Sequence, residues 1–162
     1  MDYQQTVPLT LCAAKVALAA GTTTTLSNTG AIPYCIRGKA YSKAAMTNAA
    51  TPTVDAATAK AFQGVKAGNG SIFLVGLSAA GALAAVQGTI EPLNAAGAFI
   101  NAPQIGNPPN DFCPIGYLVI KAGATADAVT GWTFGTSNMS GVTGVTYTFV
   151  DVMTLPDRPQ VS

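Results

Sequence analysis

The sequence predicts an all-β protein, a single-domain β-sandwich or barrel with extended terminal arms and at most one or two short helices. Three observations lead to this fold class. Among 162 residues, 17 Gly and 10 Pro recur at short intervals and leave few stretches long enough for a helix. The runs between them are rich in Thr, Val, Ile and aromatic residues. Turn signals recur about every 8–12 residues, as in sandwiches and barrels.

The length is that of one domain, so residues 1–162 are predicted to form a single β-rich unit. Residues 1–8 and 155–162 are predicted to be extended arms, the second because it contains Pro156 and Pro159. Residues 9–20 have a composition compatible with a helix or with a strand and a turn, and both interpretations stay open.

The next predicted strands lie in the N-terminal third. Residues 22–29 are Thr-rich and end where Gly30 and Pro33 turn the chain. Residues 34–43, YCIRGKAYSK, alternate and are predicted to form one strand. One face of that strand would carry a basic strip, made of Arg37, Lys39, Tyr41 and Lys43.

The middle of the chain contains a predicted hairpin and a long irregular segment. Residues 54–63 follow Pro52 and have helical composition. The runs 71–77 and 83–90 are strand-like and are separated by a short Gly-containing loop, which predicts a hairpin. Residues 92–116 contain five prolines and are predicted to be irregular, before the buried strand candidate IGYLVIKAG.

The closing strand is predicted over residues 144–155, where two registers alternate. Tyr147 and Phe149 belong to an apolar register that we expect to face the core, and threonines dominate the other register. If Phe149 is fully buried, its replacement by alanine costs about 3–5 kcal/mol. Asp151 interrupts the apolar register, and we expect a structural acid that accepts hydrogen bonds from a neighbouring loop.

Charged residues make up only 9% of the chain, against about 25% in an average soluble domain. The surface must therefore be covered by Thr, Ser, Asn and Gly, or be partly removed from water by other subunits. This favours a secreted or virion-type assembly over a free housekeeping enzyme. The net charge of +1 gives no long-range attraction to nucleic acid or to a membrane, and we expect neither as a partner.

Enzymatic chemistry is not predicted. The chain has no histidine, which removes the common catalytic triads and histidine zinc sites. The three cysteines are widely spaced: Cys12, Cys35 and Cys113. They are predicted to be reduced and buried, although the sequence is also compatible with one disulfide bond between two of them. A carboxylate-dependent hydrolase using Asp151 and Asp157 is the enzymatic alternative. No cofactor and no metal site are expected.

Six residues are candidates for contact with a partner. The basic strip is most simply a solvated strand face, but it also has the cations and aromatics of a single-strand-binding face, or could dock on an acidic protein. Trp132 is either a core anchor or an interface anchor. Arg158 lies next to Asp157 in the predicted C-terminal arm. The candidates are Arg37, Lys39, Tyr41, Lys43, Trp132 and Arg158.

Four phrases of the sequence carry a family resemblance: GTTTTLSNTGAIPYCIRGKAYSK, CPIGYLVIKAG, GWTFGTSNMSGVTG and YTFVDVMTLPDRPQ. In their composition and in their order over residues 22–160, these segments resemble the small Ala/Gly/Thr-rich β-proteins of tailed-bacteriophage virions. Among these they most resemble the head decoration, or cement, proteins. The resemblance contains no catalytic signature and transfers no residue role.

The resemblance implies a β-rich subunit, commonly trimeric, that binds the major capsid protein on the capsid exterior and stiffens the shell. Such a protein is made in the host cytoplasm and ends in the virion. The alternative is a tail or fibre component, or a surface adhesin, that binds a cell-surface ligand through solvent-facing aromatic residues.

Overall fold

The computed structural model describes residues 9–156, and this part of the chain contains strands and turns but no helix. The predicted all-β class is confirmed. Residues 9–20 contain two short strands, and residues 54–63 form turns closed by a bridge between Val54 and Ala61. The predicted arms lie outside the described residues, apart from Leu155 and Pro156. In the described part, no helix is long and apolar enough to cross a bilayer.

The strands, in chain order, are β1 Leu11–Cys12, β2 Ala19–Ala20, β3 Thr25–Ser27, β4 Ile32–Ile36, β5 Lys39–Lys43, β6 Ala49–Ala50, β7 Asn69–Ser78, β8 Leu83–Gln87, β9 Glu91–Pro92, β10 Phe112–Ala122 and β11 Val145–Asp151. All pair in antiparallel fashion. The central sheet has the order β11-β10-β7-β8, with β9 also on β7. Two smaller sheets have the orders β1-β4-β5 and β2-β3-β6.

The central strands β7 and β10 are buried on both faces. Successive residues therefore enter two different clusters: Phe73 and Val75 point into the main core, whereas Ile72 and Leu74 point into a second cluster. This explains why SIFLVGL is a continuous apolar run and not an alternating one. The predicted hairpin is confirmed, since β7 and β8 pair from Leu77 opposite Leu83 onward.

The main core takes residues from all three sheets, including Leu26 of β3, Tyr34 of β4 and Phe73 of β7. Trp132 and Phe134, from the segment after β10, complete it. The second cluster lies on the opposite face of the central sheet, where Phe99 and Ile105 of the proline-rich segment cover it. The central sheet is thus the middle layer of the molecule.

The prediction that residues 92–116 are irregular throughout was wrong at its end, because β10 begins at Phe112 and includes Pro114. Pro114 lacks an N–H group, and proline is tolerated in a sheet at a bulge. The register on β7 shifts between Pro114 and Gly116, which leaves Ile115 as the extra residue. The Ile115 carbonyl instead accepts a hydrogen bond from Val152 N at 3.3 Å.

β11 is shorter than the predicted strand at residues 144–155, but its predicted orientation is confirmed. Tyr147 and Phe149 pack against the main core. In the other register, Thr146 and Thr148 are exposed, whereas Val150 packs against the second cluster. The threonine register is therefore solvent-facing only in the first part of the strand.

Phe149 is half-buried, which lowers the cost expected for its truncation. We expect Phe149→Ala to reduce the free energy of unfolding by about 1–3 kcal/mol, below the range for a fully buried ring, because part of the side chain already contacts water. Urea unfolding at equilibrium measures this. A loss of about 3 kcal/mol or more would mean that the ring is covered by contacts beyond those made within residues 9–156.

Candidate functional site

The run YCIRGKAYSK is a hairpin and not the single strand that was predicted. β4 ends at Ile36, Arg37 and Gly38 form the turn, and β5 begins at Lys39. The φ angles of Arg37 and Gly38 are 51° and 80°, both left-handed as in the two-residue turns that suit twisted strands. Simple alternation did not reveal the turn, because Arg37 occupies a position where Asn or Asp is usual.

The hairpin also changes the environment of the basic strip. Cross-strand partners share a face, and Ile32 lies opposite Lys43 while Ile36 lies opposite Lys39. Both isoleucines are buried. The predicted solvated face is therefore correct only in part: Arg37 and Lys39 are exposed, whereas Tyr41 and Lys43 are half-buried on the side of the hairpin that carries the two isoleucines.

Tyr41 holds the middle of the strip in place. Its ring stacks on Tyr34 with centroids 5.4 Å apart, and the Tyr34 hydroxyl donates to the Ser78 carbonyl at 2.9 Å. The Lys39 ammonium lies 5.5 Å from the centre of the Tyr41 ring, a cation–π distance. Lys39 thus has a defined position although it is exposed, and a positioned cation is suited to recognise an acidic surface.

The turn of this hairpin lies beside the first described residues. Gly38 N donates to the Leu9 carbonyl at 2.9 Å, and Arg37 N donates to the Thr10 hydroxyl at 3.1 Å. On the other side of β1, Cys12 N donates to the Met153 carbonyl at 2.7 Å. Both ends of the described chain therefore flank β1.

Apolar side chains are exposed on both sides of β1. Leu9, Met153 and Leu155 are 56%, 54% and 47% exposed. Leu9 lies next to the hairpin turn, near Arg37 and Lys39, whereas Met153 and Leu155 belong to the segment that is bonded to the other side of β1. We call these exposed residues around β1 the terminal surface: Leu9, Arg37, Lys39, Met153 and Leu155. Sequence reasoning found the cations but missed the apolar members, because only the tertiary structure brings β1 and the last residues together.

Trp132 lies in the core. It is 2% exposed, packs against Phe73 with ring centroids 5.4 Å apart, and donates from Nε1 to the Asn138 carbonyl at 2.9 Å. The core role is thus the one that the structure shows, and the ring presents no surface to a partner. Arg158 and Asp157 lie outside the described residues.

Asp151 is the structural acid that the sequence predicts. Its Oδ2 accepts from Ala17 N at 3.1 Å, and its Oδ1 accepts from Leu18 N at 3.0 Å. Ala17 has a φ of 52°, so the carboxylate holds a strained segment against the end of β11. Both oxygens serve the fold, which weakens the hydrolase alternative.

A cleft of about 320 Å³ lies beside β8 and was not found from the sequence. Asp55, at its wall, accepts from Ala57 N at 2.7 Å, Thr58 N at 3.1 Å and Gln87 N at 2.9 Å. Gln87 exchanges two hydrogen bonds with the Gln63 backbone, at 2.8 and 3.0 Å. The polar groups of the cleft therefore stabilise the edge of β8, and they leave no carboxylate oxygen without a partner for acid–base chemistry.

The three cysteines are free thiols. Cys12 and Cys113 are buried, as predicted, whereas Cys35 is half-exposed. Burial raises the pKa of the Cys113 thiol to about 12 and also raises the pKa of Cys12. Among the described residues, no group of three or more His, Cys, Asp or Glu side chains is placed to hold a metal ion.

The thiols should differ in reactivity. With a chromogenic thiol reagent at about pH 8, we expect one rapid equivalent per chain, from Cys35, because a buried thiol with a raised pKa contains almost no thiolate. Cys12 and Cys113 should react only after unfolding. The Cys35→Ser variant should lose the rapid phase, and a second rapid equivalent in the wild-type protein would contradict the buried positions of the other two.

Comparisons of the chain with protein-family models, with curated protein sequences and with solved structures find no match.

Proposed function

We propose that this protein is a structural component of a tailed-bacteriophage virion, which binds the major capsid protein on the capsid exterior as a decoration subunit and stabilises the shell. The observation that carries the proposal is the terminal surface, where exposed apolar side chains and exposed cations lie on segments that adjoin β1. Protein–protein interfaces combine apolar side chains with polar and charged groups at their rim, and the terminal surface contains both kinds of residue.

The chemistry of the chain supports a binding role over catalysis. The carboxylates of Asp55 and Asp151 accept hydrogen bonds from backbone amides of the chain itself. Charged residues are only 9% of the sequence, which suits a surface that is partly covered in an assembly. A subunit that binds only the assembled lattice stabilises that lattice by mass action over many copies.

The adhesin alternative receives less support. It requires solvent-facing aromatic residues for a cell-surface ligand, and Trp132 is buried while Tyr41 stacks on Tyr34. The cleft beside β8 has walls of polar groups that are already paired within the chain. Binding of the purified protein to host cells in the absence of capsids would nevertheless favour this alternative.

The test is co-sedimentation of the purified protein with shells of the phage that encodes it. We expect saturable binding that weakens with salt, because the cations of the terminal surface take part. The double variant Arg37→Glu/Lys39→Glu should bind at least about tenfold more weakly, since reversed rim charges oppose an acidic partner. A matched control, Lys60→Glu/Lys66→Glu, makes the same charge change elsewhere on the exposed surface.

Two outcomes would count against the proposal. If the protein bound neither mature nor immature shells, the proposed decoration role would be wrong. Equal losses of binding affinity in the two double variants would mean that the terminal surface is not the contact and that the protein is attracted to the shell only by its overall charge.

A further inference from the structure

We infer that the free edge of β11 is a self-association site, at which β11 of a second copy of this chain pairs in antiparallel fashion about a two-fold axis. The proposal does not rest on the function proposed above. It concerns contact between copies, and it comes from the way in which the open strand edges of the molecule are protected.

The outer edges of the sheets differ in how they are protected against pairing with another strand. At the outer edge of β8, Ala56 N donates to the Ala85 carbonyl at 2.9 Å and the Asp55 carboxylate accepts from Gln87 N, so a loop covers that edge. The outer edge of β5 carries Lys39 and Lys43, and lysines oppose edge-to-edge pairing.

Within the part of the chain that the structure describes, β11 has neither kind of protection. It is the last strand of the central sheet, and its sequence VTYTFVD contains no lysine, no proline and no bulge. Its one charged residue is Asp151, at the end, where the carboxylate is held by Ala17 N and Leu18 N. A long strand edge without such features is a template for pairing with another chain.

Hydrogen bonds at both ends of β11 show which backbone groups face outward. Gly123 N donates to the Gly144 carbonyl at 2.8 Å, and Val152 N donates to the Ile115 carbonyl at 3.3 Å. Since bonding to a neighbour alternates along an antiparallel strand, even-numbered residues bond to β10. The N–H and C=O groups of Tyr147 and Phe149 point away from it, and within residues 9–156 they have no hydrogen-bond partner.

This pattern is self-complementary. An antiparallel pair with Thr148 opposite its own copy places Tyr147 opposite Phe149 of the second copy, and the outward groups of both residues can then bond to each other. The exposed threonines would lie side by side, which is a favourable cross-strand pairing. Asp151 would lie opposite Val145, so no like charges meet.

The contact is isologous and is completed by two copies, whereas a trimer needs a different, heterologous surface. A measurement of mass alone would therefore not show whether two copies pair through β11. The test must report on the contact between the two strands. Cysteine cross-linking does so, because a disulfide requires Cα atoms about 4.4–6.8 Å apart.

The experiment compares Thr148→Cys with Thr146→Cys, both in the Cys35→Ser background. The two threonines are exposed on the same face of the same strand, and we expect the fold to tolerate either change, including loss of the bond from Thr146 Oγ1 to the Lys121 carbonyl at 3.3 Å. In the inferred pair the two residues 148 form a directly opposed, non-hydrogen-bonded pair about 4.5 Å apart. The two residues 146 are offset by four positions, about 13 Å along the strand.

We expect Thr148→Cys to form a covalent dimer under mild oxidation at least about tenfold faster than Thr146→Cys, since only the first pair meets the geometric requirement. Equal rates, or no covalent dimer from Thr148→Cys, would overturn the inference, including the case in which another segment of the same chain occupies the edge. Dimers from Thr146→Cys alone would mean that a different register is used.

Charge provides an independent second readout. Thr148→Lys places two lysines opposite each other in the pair and should shift light-scattering mass toward the unpaired species at every dilution. Thr146→Lys adds the same charge to the same face but places it opposite Val150, and it should leave the mass unchanged. An equal effect of the two lysines would contradict the register.

Discussion

Replacing Phe73 by alanine is expected to lower the free energy of unfolding by about 3–5 kcal/mol, the range for a fully buried aromatic side chain. Phe73 is completely buried and lies at the centre of a cluster of rings. It stacks on Phe134 at 5.1 Å between centroids, and it makes edge contacts with Trp132 at 5.4 Å and Phe62 at 5.9 Å. The cavity left by the ring would face rings held by two other chain segments, one with Phe62 and one with Trp132 and Phe134, so it cannot collapse easily.

Urea unfolding followed by the fluorescence of Trp132 measures this loss, because the chain contains a single tryptophan and it lies in the same cluster. The half-buried Phe149 provides the control, since its replacement by alanine should cost less under identical conditions. A loss below about 1 kcal/mol for Phe73→Ala, the level of surface substitutions, would mean that these rings do not form the core.

Replacing Asp55 by alanine is expected to cost about 2–4 kcal/mol, although the change removes only a small polar side chain. Asp55 is 6% exposed. One carboxylate oxygen closes the turn at Ala57 and Thr58, and the other accepts from Gln87 N at the outer edge of β8. Without the carboxylate, three backbone N–H groups lose their partner and the edge of β8 loses part of its cover.

Asp127 is a matched control for this substitution. Its Oδ1 accepts from Val129 N at 2.7 Å and Thr130 N at 3.3 Å, which is the same kind of turn, but the residue is exposed and makes no bond to a strand. Asp127→Ala should therefore cost less than about 1 kcal/mol. Similar costs for the two aspartates would mean that the turn, and not the tie to β8, accounts for the stabilisation.

The local sequence predicted an element correctly where the segments that pack against it are also adjacent to it in the chain. The hairpin of β7 and β8 follows from two apolar runs and a short Gly-containing loop, and the inward register of Tyr147 and Phe149 follows from alternation. Asp151 could be predicted as a structural acid because an acid within an apolar register requires hydrogen-bond partners wherever the strand lies.

Local sequence was less informative where distant segments decide the environment. The hairpin at Arg37 was missed because its turn residues lack the usual signature, and Tyr41 and Lys43 of β5 are half-buried beside the isoleucines of β4 only because the chain folds back there. Nothing near Asp55 in the sequence indicates Gln87, whose backbone amide donates to its carboxylate across the molecule.

The sequence by itself determined the all-β class, since frequent Gly and Pro exclude long helices and β-type residues fill the intervals between them. The sequence also shows that few charged side chains are present to keep the protein soluble, to attract a partner over a distance or to act in catalysis. Only the tertiary structure decided that Trp132 is buried, that Leu9 and Met153 lie close to the same short strand, and that no segment within residues 9–156 covers the outer edge of β11. The reason is physical: exposure and edge position depend on which segments pack together, and long-range pairing does not follow from local periodicity.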